Sequence, residues 1–387
     1  MTAAGFLDPA DMAADAFVAL VTEELDPAQV PHAHAVERNV PIYDMEALRS
    51  ALDGDARRAL LSEWAEVLGE TAGAVVLRRL YGDTAPIERA TALFEAVIAE
   101  EKQGAAGKGD HFAASGANDR VWNALQKHCL RDPEGFALYY GNAGLAAVAE
   151  AWLGPHYQMT AQVNLVRPGG AAQTAHRDYH LGFQNAAEAA RFPRHAHVLS
   201  AALTLQGAIA HCDMAAESGP TKLLPFSQRY EPGSLAFHDE THRAVFEERC
   251  VQVPLAKGDA LFFNPALFHA AGENRTEDVQ RMANLLQISS AFGRAMEAVD
   301  RDAMVRALVP VLRGLREGGR MSATEIDAAI AAAAEGYAFP TNLDTDPPTG
   351  GGAPQTQADL VRRALAQGWS DEALGRALRE RAAKRAA

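Results

Sequence analysis

One short stretch organises the chain, and it reads Gln173-Thr174-Ala175-His176-Arg177-Asp178-Tyr179-His180. On an extended strand, residues i and i+2 point to the same side, so His176 and Asp178 would direct an imidazole and a carboxylate at one point. A third candidate ligand, His269, follows about ninety residues later. Two histidines and one carboxylate on one face of a metal suit non-haem Fe(II) and leave open positions for substrate and O2.

An arginine further along the chain is a candidate anion-binding residue. Arg281 comes twelve residues after His269, at the start of an apolar run. A guanidinium in such a position can clamp a carboxylate with two parallel hydrogen bonds. We therefore predict that Arg281 binds a carboxylate.

The composition narrows the class of protein. The chain has 387 residues and a formal net charge of −14, which argues against binding to nucleic acid or to anionic membranes. Its cysteines, Cys129, Cys212 and Cys250, are far apart and predict neither disulfides nor a cysteine-based zinc site. The sequence contains neither a signal-peptide pattern nor an apolar run of about 18–20 residues. We therefore expect a cytoplasmic protein with no membrane partner.

Short β-like runs in the middle of the chain predict its fold. Many short strands without helices between them favour a sandwich or jelly roll. Helical patterns precede and follow these strands. We therefore predict an α+β fold with a jelly-roll core and helical additions at both ends. The predicted divisions are a helical extension (1–72), a core with supporting helices (73–292), a helical segment (293–338), a linker (339–354) and a helical tail (355–387), and the predicted core strands include 159–166, 197–205, 222–224, 250–254, 260–263 and 283–289.

A second His-x-Asp pair competes with the first. His211 and Asp213 follow an apolar run and precede a tight turn, where Asp213 is expected to accept turn hydrogen bonds. The first pair instead follows Gly169 and Gly170, and glycine lets a chain pass close to a metal or a ligand. The context therefore favours the first pair as the metal site.

Four segments resemble the phytanoyl-CoA dioxygenase family of Fe(II)- and 2-oxoglutarate-dependent oxygenases, and together they cover roughly residues 70–292 in the family's order. They are Pro168-Gly169-Gly170 with His176-Arg177-Asp178; Glu217-Ser218-Gly219-Pro220-Thr221 with Leu224-Pro225-Phe226-Ser227-Gln228; Lys257-Gly258-Asp259-Ala260-Leu261-Phe262-Phe263; and His269-Ala270-Ala271-Gly272-Glu273-Asn274-Arg275-Thr276 with Arg281. One departure is Phe226-Ser227-Gln228, which stands where the family usually has Gly-Ser-His.

The resemblance implies a double-stranded β-helix that holds Fe(II) on His176, Asp178 and His269. It also implies that 2-oxoglutarate chelates the iron and that its far carboxylate meets Arg281. Arg275 is the rival for that carboxylate, but it lies in a polar turn, whereas Arg281 begins the next strand.

The resemblance further implies that O2 is consumed, that a substrate is hydroxylated, and that succinate and CO2 are released. The net negative charge disfavours an acyl-CoA, so we expect the substrate to be a small metabolite or natural product. Related halogenases carry a small residue at the position of Asp178, so the carboxylate here favours hydroxylation. Gln162 and Thr174 are further candidates for contact with the cosubstrate.

Two other functions stay open from the sequence. One is a cupin-like metal enzyme that does not use 2-oxoglutarate, and the other is a non-catalytic small-molecule-binding protein on the same fold. In a 2-oxoglutarate-dependent oxygenase or a cupin-like metal enzyme, a mobile segment would help to shield the reaction from water. We predict that residues 104–117 and 186–196 flank the mouth of the barrel and act as such a lid.

Overall fold

The computed structural model describes residues 5–103, 118–348 and 352–386, so the predicted lid segment 104–117 lies outside the described residues. The strands within these ranges are β1 (Ala35–Glu37), β2 (Val40–Asp44), β3 (Ala74–Arg78), β4 (Asn118–Val121), β5 (Gln158–Val166), β6 (Thr204–Ala210), β7 (Lys222–Leu223), β8 (Ala260–Phe263), β9 (His269–Ala270) and β10 (Arg281–Ser289). The α-helices are α1 (Ala14–Val21), α2 (Gly54–Glu70), α3 (Ala85–Gln103), α4 (Ala124–Arg131), α5 (Pro133–Tyr140), α6 (Ala143–Leu153), α7 (Ala186–Ala189), α8 (Arg194–Ala202), α9 (Gly233–Ala236), α10 (Glu240–Arg249), α11 (Arg301–Glu317), α12 (Ala323–Ala333), α13 (Gln357–Ala366) and α14 (Asp371–Arg385).

The strands form two sheets. The major sheet has eight strands in the order β1-β2-β3-β8-β6-β10-β5-β4, and its neighbours are antiparallel except for β2 and β3. The minor sheet consists of β7 and β9, and single bridges extend it from His269 to His176 and from Leu223 to Val251. The predicted α+β class is confirmed, because a large and mostly antiparallel sheet is combined with many helices.

Alternation along the central strands gives the major sheet two different faces. On β5, Met159 and Val163 point into the main hydrophobic core, which the sheet shares with the helices. Gln162 and Asn164 point the other way and line a cavity. Because successive side chains of a strand point to opposite faces, one strand supplies both the core and the cavity wall.

Helices cover the core face of the major sheet. Trp64 on α2 is fully buried there and meets Tyr43 of β2 edge to face, with ring centroids 5.7 Å apart. Leu308, Leu312 and Leu315 form the buried side of α11, as expected for an amphipathic helix that packs on a core. None of the helices in the described ranges is long and apolar enough to cross a membrane.

The N-terminal segment, predicted to be mostly helical, contains two strands of the major sheet. β1 and β2 pair through the turn residues Arg38 and Asn39, whose φ values are +52° and +67°. Two consecutive left-handed residues are typical of a tight hairpin turn. β2 then pairs with β3, so hydrogen bonds of the sheet cross the predicted division at residue 72. Helical periodicity in the flanking residues led to the prediction of helix for this segment. β3, the strand with which β2 pairs, lies more than thirty residues further along the chain.

Two predicted strands were wrong. Most of residues 197–205 belongs to α8, which starts directly after Pro193, and the strand β6 begins only at Thr204. The apolar side chains of Val198 and Leu199, which suggested a strand, are 66% and 54% exposed on that helix. Residues 250–254 make only one isolated bridge. Proline at position 254 has no N–H to continue a ladder.

Candidate active site

A cavity of about 720 Å³ opens between the two sheets. The major sheet lines it with side chains from β5, β6 and β10, including Gln162, Gln206 and Arg281. The minor sheet contributes His176 and His269 from the opposite side. The cavity therefore brings together residues from distant parts of the sequence, as ligand pockets between packed layers generally do.

Backbone pairing places the two histidines side by side. The His176 N–H donates to the His269 carbonyl at 3.0 Å, and the His269 N–H donates back at 3.1 Å. The Asp178 N–H donates to the Pro265 carbonyl, which continues the pairing. Side chains of directly paired residues share one face, and the two imidazole centroids are 4.4 Å apart.

Three potential ligand atoms converge at this point. His176 Nε2 lies 3.8 Å from Asp178 Oδ1, and His269 Nε2 lies 3.4 Å from Asp178 Oδ2. One ligand atom from each residue lies within 4.8 Å of the others, and this is the metal-sized cluster found among the described residues. Two imidazoles and one carboxylate make up the facial donor set that non-haem Fe(II) prefers.

Both imidazoles are held in the orientation that a metal requires. Nδ1 of His176 lies 2.8 Å from the Thr174 carbonyl, and Nδ1 of His269 lies 2.8 Å from the Leu267 carbonyl. Since a carbonyl oxygen only accepts, each Nδ1 must carry the proton. The lone pair is then on Nε2, which faces the cluster.

The surroundings of Asp178 lower the pKa of its carboxyl and so favour the ionised form. Burial raises the pKa of this carboxyl, but the imidazoles of His269 and His176 and the Gln206 amide together lower it to about 2. The Gln206 side chain, on β6, donates its Nε2 hydrogen to Asp178 Oδ2. Burial also lowers the pKa of His176, and proximity to His269 adds to that effect. A neutral imidazole and a carboxylate are the protonation states that bind a metal.

The buried Arg177 side chain anchors the segment that carries two of the three candidate ligands. Its Nη2 donates to the Ser227 and Tyr230 carbonyls at 2.7 and 3.1 Å, and its guanidinium lies over the Phe268 ring. Gly233 makes room for this group, because a Cβ there would lie 1.9 Å from Arg177 Cζ. The segment is thus held by a buried cation.

The two candidate arginines differ in environment. Arg281 is 7% exposed, lines the cavity and donates Nη1 hydrogens to the Ser218 and Gly272 carbonyls. Burial lowers its pKa to about 10. No carboxylate within the described ranges forms a salt bridge with it. Arg275 is exposed. A buried cation without an anion is costly, so Arg281 can bind an anionic ligand.

The other predicted residues are placed less centrally. Gln162 lines the cavity, and its Oε1 accepts a hydrogen bond from Arg120. Thr174 also borders the cavity but is exposed, and its carbonyl holds His176. His211 is buried and hydrogen-bonded to Thr91 and Tyr139. The competing His-x-Asp pair thus does not contribute to the cluster.

Gln206 was missed in the sequence. The predicted strand 197–205 ended one residue too early, so the alternation that turns Gln206 toward the cavity was not recognised. Had the strand been placed at Thr204–Ala210, alternation would have put the amide of Gln206 on the same face as Ala208 and Ala210, where a polar side chain is conspicuous. Segment 186–196, predicted to be part of a lid, contains α7 and the start of α8, where Arg194 pairs with Asp11.

Comparison with known proteins identifies the family. The profile of the phytanoyl-CoA dioxygenase (PhyH) family matches residues 69–283, more than half of the chain. Dioxygenase trt7 of Aspergillus terreus (strain NIH 2624 / FGSC A1156) is 31% identical over 139 residues, which are 36% of this chain and 43% of trt7. The chain thus aligns with less than half of the length of this curated relative.

Solved structures also resemble the chain. The non-haem α-ketoglutarate-dependent carbocyclase SnoK from nogalamycin biosynthesis has a TM-score of 0.44 and 20% identity, over 61% of this chain and 86% of SnoK. The epimerase SnoN in complex with Fe³⁺, α-ketoglutarate and nogalamycin RO has a TM-score of 0.40 and 19% identity, over 60% of this chain and 85% of SnoN.

The chain belongs to the phytanoyl-CoA dioxygenase family, and the resemblance predicted from the sequence is confirmed. This family consists of non-haem iron oxygenases that use 2-oxoglutarate and O2. The predicted enzyme class, an Fe(II)- and 2-oxoglutarate-dependent dioxygenase, and the predicted use of iron, 2-oxoglutarate and O2 agree with those of the family.

Proposed function

We propose that the protein is an Fe(II)- and 2-oxoglutarate-dependent dioxygenase that hydroxylates a small molecule and releases succinate and CO2. One observation carries the proposal. A single cavity contains the cluster of His176, Asp178 and His269 and also the buried Arg281, which has no carboxylate partner among the described residues. The first feature fits a metal, and the second fits a dicarboxylate that reaches from the metal to the wall of the cavity.

The three clustered residues would hold the iron. The Nδ1 hydrogen bonds keep the Nε2 lone pairs of His176 and His269 directed at one point, and Asp178 supplies a negative charge beside them. Three protein ligands leave the remaining positions of an octahedral metal open. Bound Fe(II) would supply the chemistry that activates O2 for oxidation of the substrate.

Arg281 would bind the far carboxylate of 2-oxoglutarate. Its backbone contacts to Ser218 and Gly272 fix the guanidinium at the cavity wall, and burial strengthens its attraction for an anion. Gln162 and Thr174 border the same cavity, and we propose that they contact the cosubstrate or the water around it. The exposure of Arg275 makes it a poor competitor for this role.

The shape of the cavity and the residues of the candidate metal site support the proposals about the fold, the substrate and the reaction. We propose that the two sheets form a double-stranded β-helix, with the cavity as its interior. A volume of about 720 Å³ suits a small molecule beside the cosubstrate. Hydroxylation is favoured because Asp178 fills the position that a halide would need. A cytoplasmic location remains a prediction.

Anaerobic titration with 2-oxoglutarate tests the proposal. A 2-oxo acid that chelates Fe(II) produces a visible absorption band, and admission of O2 then converts the cosubstrate to succinate. We expect both results with Fe(II) and neither without it. Metal binding with no response to 2-oxoglutarate would instead favour a metal enzyme that does not use it. A protein that binds no metal would be a non-catalytic binding protein.

A further inference from the structure

Gln287 is a buried polar residue of the cavity to which the proposed function gives no role. Residues of β10 alternate between the cavity, which Arg281 and Leu285 line, and the core, which Leu286 joins. Gln287 belongs to the first set, lines the cavity and is 8% exposed. Its Oε1 is buried and has no hydrogen-bond partner among the described residues. Because buried polar atoms are rarely left unpaired, a group that enters the cavity is the expected partner.

The strand register places Gln287 beside the candidate metal site. It stands directly opposite Gln206 of β6, whose amide donates to Asp178 Oδ2. On the other side of β6, Gln206 stands opposite Phe263, whose ring centroid lies 4.7 Å from that of His269. Directly opposed residues of an antiparallel pair are about 4.5–5.5 Å apart and share a face. A group that binds Gln287 is therefore held next to the metal.

The cosubstrate would occupy a different part of the cavity. Arg281 lies six residues before Gln287 on β10, a separation of about 20 Å along an extended strand. Two further buried carboxamide oxygens, those of Asn118 and Asn164, lack partners in the described part of the chain, but they lie toward the Arg281 end of the register. Gln287 is thus available to the substrate.

Apolar side chains lie at the opening of the cavity. Phe183 and Met296 line the cavity and are 56% and 37% exposed, so they lie where it meets solvent. The ring centroid of Phe183 is 5.7 Å from that of Tyr179, the residue after Asp178. Exposed apolar side chains at the opening of a pocket favour an apolar ligand. Within the described ranges Asp178 is the only acidic residue that lines the cavity, so no carboxylate beyond the candidate metal ligand is there to bind a cationic substrate.

We propose that Gln287 determines substrate specificity by binding a hydroxyl group of an uncharged and largely apolar substrate, an inference that rests on the proposed function. The hydroxyl donates to Oε1, and the carbon to be oxidised lies near that hydroxyl. Phe183 and Met296 pack against the apolar body of the substrate. A neutral carboxamide does not offset the cost of removing a charged group from water, so an ionic group is disfavoured at this position.

Calorimetric binding of matched probes tests the inference without turnover, in anaerobic protein loaded with Fe(II) and 2-oxoglutarate. The probes are adamantanemethanol, its methyl ether and adamantanecarboxylate, which share one apolar cage and differ in their polar group. The variants are Gln287→Leu and, as a matched control, Gln280→Leu, which changes an exposed glutamine just before β10. Thermal unfolding checks the folding of each variant, and titration of 2-oxoglutarate checks the cosubstrate site.

We expect the alcohol to bind the unmodified protein more tightly than the ether or the carboxylate. Gln287→Leu should weaken binding of the alcohol by roughly threefold to tenfold, as for the loss of one hydrogen bond, and should change binding of the ether little. The Kd of 2-oxoglutarate should not change in Gln287→Leu, because Arg281 and the candidate metal ligands are intact. Gln280→Leu should bind all three probes like the unmodified protein.

Equal loss of alcohol and ether affinity in Gln287→Leu would overturn the inference, since it would show a packing role only. Tightest binding of the carboxylate, or no binding of the alcohol to protein that binds 2-oxoglutarate, would overturn it as well. If Gln287→Leu does not fold, Gln287→Met takes its place with a side chain of similar length. A protein that binds no 2-oxoglutarate would refute the proposed function itself, a result distinct from an intact cosubstrate site without selectivity for the alcohol.

Discussion

Replacement of Arg281 by methionine tests the link between the buried cation and the cosubstrate. Methionine keeps much of the length of the side chain and removes its charge. Burial lowers the pKa of Arg281 from its usual 12.5 to about 10, which corresponds to a cost of ~3 kcal/mol for keeping the charge in this site. A carboxylate that binds Arg281 offsets that cost, and this gain contributes to its binding. In Arg281→Met there is no buried charge, so the gain is absent.

The expected loss of 2-oxoglutarate affinity in Arg281→Met is therefore about 3 kcal/mol, within the range of ~2–5 kcal/mol for a desolvated pair that loses one member. This is a rise in Kd on the order of 100-fold. Anaerobic titration of 2-oxoglutarate into Fe(II)-loaded protein measures it. Iron binding should not change, because the ligand cluster is intact.

Arg275→Met is the matched control, since this exposed arginine lies on the same chain segment and should contribute only ~0–1 kcal/mol. A purely structural Arg281 would behave differently. Loss of its hydrogen bonds to Ser218 and Gly272 would then lower the melting temperature and leave the Kd unchanged. That result, or a large effect confined to Arg275→Met, would refute the assignment.

Three further predictions concern the metal, the core and the backbone. His269→Ala should abolish Fe(II) binding while the exposed His195→Ala retains it; full iron content in His269→Ala would contradict the site. His128 is fully buried, both of its ring nitrogens lack partners among the described residues, and burial lowers its pKa from the usual 6.5 to about 4. The protein should therefore lose stability as the pH falls from about 6.5 towards 4, because the unfolded chain takes up the proton first. Urea unfolding at pH 7 and pH 5 should show that His128→Leu reduces this loss and stabilises the protein by ~1–3 kcal/mol at pH 7; an unchanged pH dependence would argue against it. Gly233→Ala should destabilise the protein by ~1–3 kcal/mol, because the added methyl group clashes with the buried guanidinium of Arg177. The control Gly314→Ala lies in open space on α11 and should stabilise the protein by ~0.5–1 kcal/mol. Equal denaturation midpoints for the two variants would exclude the clash.

Local features of the sequence were predictable because they depend on short-range geometry. The two-residue repeat of an extended backbone places His176 and Asp178 on one face, and the structure has them there. The strand at β5 could likewise be recognised from its composition, with its bounds nearly correct. The family was recognisable because the order and spacing of four segments remain visible in a linear chain.

Other features depend on pairing between distant residues, which local patterns do not encode. β1 and β2 join the major sheet only because β3 offers β2 a free edge. Val198 and Leu199 resemble a strand in sequence, yet they lie on an exposed helix after a proline. Apolar and β-branched residues favour a strand only weakly, and the surrounding structure overrides that preference.

The environment of the candidate ligands also depends on the tertiary fold. Asp178 meets Gln206 because β6 pairs with β10 in one register, and a shift of one residue would turn that amide into the core. The same holds for Arg281, whose guanidinium is buried against the carbonyls of Ser218 and Gly272, two residues from distant parts of the chain. Spacing along the chain specifies which side chains can share a face, whereas the register and the packing of the sheets specify which groups surround them.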